Sequence, residues 1–180
     1  MRTRLAALIG AAGLTAALSS ACDKSDTPTA PAGGKPELTP SSGGTPTQLG
    51  RATFADPSKK SLTIRRSEKD FQIEISAKPA FDLAVQDVVF EPGGQSGWRS
   101  ETGPILIQVV KGTMTFYSAE DPACSPVVLT AGQGWFSSGE YAHLVRNATN
   151  DQAETLLTAF VPPGEPIRVD EDQPGNCPSF

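Results

Sequence analysis

From Leu62 onward, apolar and polar positions alternate in short runs. In "FQIEIS", Phe71, Ile73 and Ile75 fall on one face and Gln72 and Glu74 on the other, the two-residue period of a half-buried strand. "LTIRR" alternates in the same way, and "EKD" predicts the turn between the two. "FDLAVQDVVF" predicts a further strand. "ILIQVV" and "TMTFYSA", separated by Lys111 and Gly112, predict a hairpin closed by a tight glycine turn. "PVVLT" and "GWF", split by "AGQG", then "YAHLVRN" and "TLLTAFV", continue the pattern until Pro162 and Pro163 end it. Helical periodicity is nearly absent. Short strands at fairly even spacing, punctuated by Gly, Pro and Asp, predict an all-β sandwich or barrel. No repeat of fixed length occurs, and the pattern by itself leaves sandwich, jelly roll and Greek key open.

Before this domain lie segments of different chemistry. "MRTR" is basic, and Leu5 to Leu18 is an apolar run followed by "SSAC". A basic start, a short apolar stretch and small residues predict a signal peptide over 1–21. The run falls short of the ~20 apolar residues that a spanning helix needs. Cys22, after Ser19, Ser20 and Ala21, resembles the acylated cysteine of bacterial lipoproteins, although Ser19 stands where that pattern prefers Leu. The expectation is an exported protein anchored by lipid to the membrane of the cell envelope; an ordinary cut after Ala21, releasing a soluble protein, is the alternative. From Asp23 to about Gln48 the chain is rich in Thr, Pro, Ser, Gly and Ala, and it buries too little apolar surface to offset the entropy of ordering. The predicted organisation is a signal peptide over 1–21, Cys22 and a disordered linker over 22–50, and a folded domain over 51–180.

Charge narrows the partners. The chain carries a formal net charge of −5, and loss of Arg2 and Arg4 with the signal peptide takes it to −7. That balance argues against nucleic acid or an anionic membrane surface as partner. Three cysteines is an odd number for an exported chain. With Cys22 acylated, Cys124 and Cys177 remain, and in an oxidising compartment they are expected to form a disulfide. No basic residue lies near either in sequence to lower a thiol pKa, which disfavours a reactive cysteine.

The order of the glycine-rich turns is the most specific signal. "EPGGQSGW", then "KGTMTFY", then "AGQGWFSSGEYAHLVRN", then "LLTAFVPPG" resembles the cupin superfamily, and more narrowly small exported bacterial cupin-domain proteins, over about residues 82 to 180. The resemblance implies a double-stranded β-helix, a small jelly-roll barrel. It also implies a metal site: a first block with His-x-His, a carboxylate a few residues on, and one more His in the second block. Here the two first-block positions fall on Arg99 and Glu101, and the downstream carboxylate position falls near Ile105 or Leu106. His143, the single histidine of the chain, keeps its place.

Arg99 cannot ligate a metal, because its guanidinium stays protonated and offers no lone pair. Glu101 and His143 remain as weak candidate ligands, and the expectation is no tightly bound metal and no cofactor. Three readings stay open. Arg99, Glu101 and His143 form a hydrogen-bonded cluster that only fills the barrel; or they bind a small polar or anionic ligand, with Arg99 gripping a carboxylate or phosphate; or Glu101 and His143 act as acid and base. Strand alternation puts Tyr141 on the face of His143, where its hydroxyl would join the site. Trp98 and Trp135 read as core or rim residues. No phosphate loop, zinc-type cysteine pair or dinucleotide turn occurs. The expected function is a non-enzymatic binding module of the cell envelope. The alternative is a metal-dependent isomerase or oxygenase, as in many cupins; the resemblance also implies that two barrels can pair into a homodimer.

Overall fold

The computed structural model describes residues 38–39, 41–55, 62–78 and 80–180. The signal peptide, Cys22 and the linker up to residue 37 lie outside the described residues. The strands are β1 (Ser42–Ala55), β2 (Leu62–Glu68), β3 (Phe71–Ala77), β4 (Ala80–Gln95), β5 (Arg99–Glu101), β6 (Ile105–Lys111), β7 (Thr113–Ser118), β8 (Val127–Thr130), β9 (Gly134–Ser137), β10 (His143–Arg146), β11 (Ala153–Val161) and β12 (Arg168–Asp170). The fold is all-β, as the alternation predicts. One leaf runs β1-β4-β11-β6-β9 and the other β8-β7-β10-β5-β12. The end of β4 joins them, where Gln95 pairs with Arg146 of β10. The two leaves close nearly into an antiparallel barrel.

Inward positions follow the two-residue period. In β6, Ile105, Ile107 and Val109 are buried, while Leu106, Gln108 and Val110 are exposed. β11 buries Ala153, Thr155, Leu157, Ala159 and Val161. The apolar ones among these pack with Val88, Phe90, Met114, Phe116 and Val145 into one core.

Three expectations need correction. First, the linker does not run to residue 50. Ser42 to Ala55 form β1, paired antiparallel with β4 from Ser42–Gln95 to Ala55–Ala80. A sheet edge supplies backbone partners that polar composition does not reveal. Second, β6 and β7 are not a hairpin. β6 pairs with β11 and β9, and β7 with β10 and β8. Gly112, at φ 76°, is therefore a corner where the chain passes from one leaf to the other. Ala153 lies about 3.0 Å from where a Cβ would stand. Third, β2 and β3 do form a hairpin, but it is not half-buried: Phe71 and Ile73 are exposed, and the hairpin makes its own two-stranded sheet.

Polar groups pin the ends of the barrel. Asp82 on β4 accepts hydrogen bonds from Thr53 Oγ1 at 2.6 Å, Arg51 Nε at 2.7 Å and the Gly164 N–H at 3.0 Å. It thereby ties β1, β4 and the loop after β11 together. The Thr53 hydroxyl, the Gly164 amide and the Arg51 guanidinium hold its carboxyl down to about 2, from an ordinary 3.8. Because the folded value lies below the unfolded one, the unfolded chain takes up the proton first. The stabilisation is complete above about pH 4 and disappears as pH falls through about 2. In Asp82→Asn that acid-sensitive part should be missing: urea midpoints of wild type and variant, well apart at neutral pH, should converge on acidification. Asn147 is fully buried, and its Nδ2 donates to the carbonyls of Phe90, Glu91 and Asp151. Its amide serves the turn before β11.

A second cluster lies on the outer face of β10, where Trp98, Cys124 and Leu144 pack with Tyr117 and Cys177. The disulfide expected from parity is present: Cys124 and Cys177 are bonded, with Cα atoms 5.2 Å apart. It fastens the C-terminal tail over this face. The tail also meets Trp98, whose indole N–H donates to Gln173 Oε1 at 2.7 Å. The bond closes a span of 53 residues. Cys177→Ser should therefore cost roughly 2–4 kcal/mol, read as a lower urea midpoint with a somewhat steeper slope because the unfolded chain is no longer cross-linked, and reductant should produce the same change in wild type alone.

Candidate functional site

β5 is three residues long, yet it carries both Arg99 and Glu101. It lies between β10, where His143 pairs with Arg99, and β12, where Arg168 pairs with Glu101 and Asp170 with Arg99. Residues directly opposite in an antiparallel pair share a face, as do residues two apart along a strand. Strand register thus gathers Arg99, Glu101, His143 and Arg168. A turn holds β5 in place: the Glu101 N–H donates to the Gly139 carbonyl at 3.1 Å.

The Glu101 side chain is 1% exposed and that of Arg99 12%. Arg99 Nε donates to Glu101 Oε1 at 3.2 Å. His143 Nε2 lies 3.3 Å from the same oxygen, close enough for an ion pair but off the line of a hydrogen bond. Nδ1 of His143 lies 3.4 Å from the Tyr141 carbonyl, and the ring packs 4.9 Å from that of Trp135. Glu101 Oε2 and His143 Nε2 are buried without a hydrogen-bond partner among the described residues. Burial pulls the Arg99 guanidinium below its ordinary pKa; the Glu101 carboxylate opposes this, and the nearby cation of Arg168 adds to it. The Nη atoms of Arg99 donate to no protein acceptor among the described residues.

Arg99 and Glu101 border a cavity of about 390 Å³. Arg51 and Arg168 also line it, so three guanidiniums face it against one carboxylate, in a chain whose net charge is −5. Arg51 is neutralised by Asp82; Arg168 pairs through Nε with Asp170 Oδ1 at 2.5 Å and donates from Nη1 to the Ser96 carbonyl at 2.7 Å. Val88, Phe90 and Leu157 supply apolar wall.

The sequence-predicted residues are divided by the structure. Arg99 and Glu101 line the cavity. His143 is fully buried beside Glu101 but does not line it. Tyr141 does not join the group: it precedes β10, so strand alternation does not reach it, and its side chain is 44% exposed. Only its carbonyl faces His143. Sequence reasoning missed Arg51 and Arg168. Neither has a local mark, since each enters through pairing with a strand distant in sequence. A signal for Arg51 existed in its partner, for Asp82 is a lone acid in the otherwise apolar start of "FDLAV".

The donor set does not fit a divalent ion. A catalytic site takes about three protein ligands and leaves a position open. Glu101 and His143 give one oxygen and one nitrogen, and among the described residues no group of three His, Cys, Asp or Glu side chains converges. Arg99 beside them is a cation with no lone pair to offer.

No family model and no curated protein matches the chain. Among solved structures it is similar to a cupin superfamily protein from Desulfitobacterium hafniense, at 10% identity and a TM-score of 0.39, over 56% of this chain and 77% of that one. It is also similar to the cupin domain of an XRE-family transcriptional regulator from Enterobacter cloacae, at 17% identity and a TM-score of 0.42, over 68% of this chain and 99% of that one. A third is an oxalate oxidase in complex with the substrate analogue glycolate, at 20% identity and a TM-score of 0.42, over 48% of this chain and 45% of that one.

Proposed function

We propose that this jelly-roll barrel is a non-enzymatic binding module that takes a small carboxylate into the cavity beside β5. One observation carries the proposal. Arg99 is nearly enclosed, yet among the described residues only its Nε meets a protein acceptor. Its Nη donors are left to the cavity that Arg99 borders, where a ligand acceptor can take the place of water. The planar fork of Nη hydrogens matches the two oxygens of a carboxylate. Arg51 and Arg168 line the same cavity with their charges offset by Asp82 and Asp170, so the Nη donors of Arg99 are the free cationic group that an entering anion would meet. The metal-dependent isomerase or oxygenase is not proposed, because Arg99 occupies a ligand position. The basic start, the apolar run and Cys22 support placing the module at the cell envelope on a lipid anchor.

Thermal melting of the purified domain against acetate, propionate, lactate and inorganic phosphate tests the binding reading. The expected result is a concentration-dependent rise in Tm with at least one carboxylate. Arg99→Ala should abolish it. Equal rises in wild type and variant, or none in wild type, would remove the proposal.

A further inference from the structure

We infer that the outer face of the leaf β1-β4-β11-β6-β9 docks a second copy of this chain, related to the first by a twofold axis that runs across the strands. The inference does not depend on the carboxylate reading.

A leaf with one wet face alternates apolar and polar residues, whereas strands covered on both faces read as unbroken apolar runs. This leaf reads the second way. Val88 and Val89 of β4, Leu106 and Ile107 of β6, and Leu156 and Leu157 of β11 are adjacent apolar pairs. Successive side chains of a strand point to opposite faces. The core takes Val88, Ile107 and Leu157, so Val89, Leu106 and Leu156 are left outside. Register makes the outer positions contiguous: Val85, Thr158, Leu106 and Phe136 stand in one row across four strands. Phe136 is 76% exposed. The other leaf differs, because the chain's own tail, fastened by the disulfide, packs on its outer face.

An arm stands at one end of this face. β2 and β3 lie in the chain between β1 and β4 and pair only with each other, at the Ala55–Ala80 end of the β1–β4 ladder. Ile73 and Ile75 of the arm line a groove of about 700 Å³ together with Phe81, Leu106 and Phe136. Two strands alone are marginal in water, and Phe71 and Ile73 are exposed.

Charge selects the occupant and its orientation. Residues 80–180 hold thirteen Asp and Glu against four Lys and Arg, while residues 56–79 hold four against six. The end of the leaf away from the arm carries Asp87, Glu91 and Glu154, with Lys111 opposite Glu154. Acids around an apolar face repel an anionic lipid surface. A second copy brings its own basic arm. Isologous contact uses the same patch on both copies, and two sheets can pack face to face. A twofold axis across the strands sets the arm of each copy over the acidic end of the other. An axis along the strands would set arm against arm. From residue 81 to 89 the five-stranded leaf covers on the order of 600 Å², at ~4.8 Å between strands and ~3.3 Å per residue. The arm adds to this, toward the ~800 Å² per partner of a stable interface.

Sedimentation equilibrium of the Cys22→Ser protein, which carries no acyl chain, tests this between about 1 and 100 µM. The expected result is a dimer that weakens as NaCl is raised to about 0.3 M, because opposite charges meet across it. Phe136→Glu should raise the dissociation constant about tenfold or more, with the circular dichroism of wild type. Val169→Glu, at an exposed apolar position on β12 outside this leaf, should leave the dimer intact. A monomer throughout, or a dimer that both variants weaken equally or neither weakens, would overturn the inference. So would a dimer that tightens with salt, since arm would then face arm. A monomer that binds phosphatidylcholine vesicles would assign the face to lipid and overturn it as well.

Discussion

Glu101→Leu is expected to destabilise the protein by about 3–5 kcal/mol, while Arg99→Leu combined with Glu101→Leu should return stability to within about 1 kcal/mol of wild type or above it. The contrast follows from how little water reaches the pair. Arg99 is 12% exposed and Glu101 1%. Removing the carboxylate alone strands a guanidinium in the barrel wall beside Arg168 and leaves His143 Nε2 facing a methyl group. A lone charge in that setting loses its Coulomb partner and recovers little hydration. Removing both charges exchanges a costly desolvation for apolar packing against Val88 and Phe90. Urea unfolding of the three proteins at neutral pH gives the comparison. A single variant that loses less than about 1 kcal/mol would mean that Arg99 reaches solvent when released, and the enclosed fork that carries the binding proposal would be lost with it.

Gly139→Ala should cost on the order of 4 kcal/mol and weaken carboxylate binding in whatever fraction still folds. Gly139 has φ +92°, where L side chains are strained. Space is also missing. An added Cβ would lie 2.4 Å from the Gly103 carbonyl oxygen and 2.8 Å from that of Glu101. Both obstacles are backbone, so no side chain can rotate aside. Relief must come from moving β5 or the turn after it, and the Gly139 carbonyl is the acceptor for the Glu101 N–H. Gly132, at φ +88° and with no atom within 4 Å of an added Cβ, is the control: Gly132→Ala carries backbone strain alone and should lose about 1 kcal/mol. Equal losses at the two positions would show that close packing against β5 contributes nothing.

Much of the fold was legible because a strand writes its buried face into every second residue. The alternation of Phe71, Ile73 and Ile75 with Gln72 and Glu74 marks a strand, and the structure places one there. The hairpin of β6 and β7 misled for a related reason. Alternation and a glycine predict two strands and a turn, but nothing local says whether the strands turn back on each other or pass to opposite leaves. β1 was hidden by composition. Its "SGGTPTQLG" reads as tether, and β4 supplies the hydrogen bonds that order it.

What the chain by itself determined about this protein was the all-β class, the closeness of Arg99 and Glu101 two residues apart, and the cysteines available for one bridge. Each depends on neighbours within a few residues or on simple parity. Tertiary structure alone decided that Arg51 and Arg168 line the same cavity, that Tyr141 stays outside, and that Glu101 keeps an unpartnered oxygen. Those outcomes depend on which distant strands lie side by side and how far apart their side chains end, and neither quantity is encoded in any local stretch of residues.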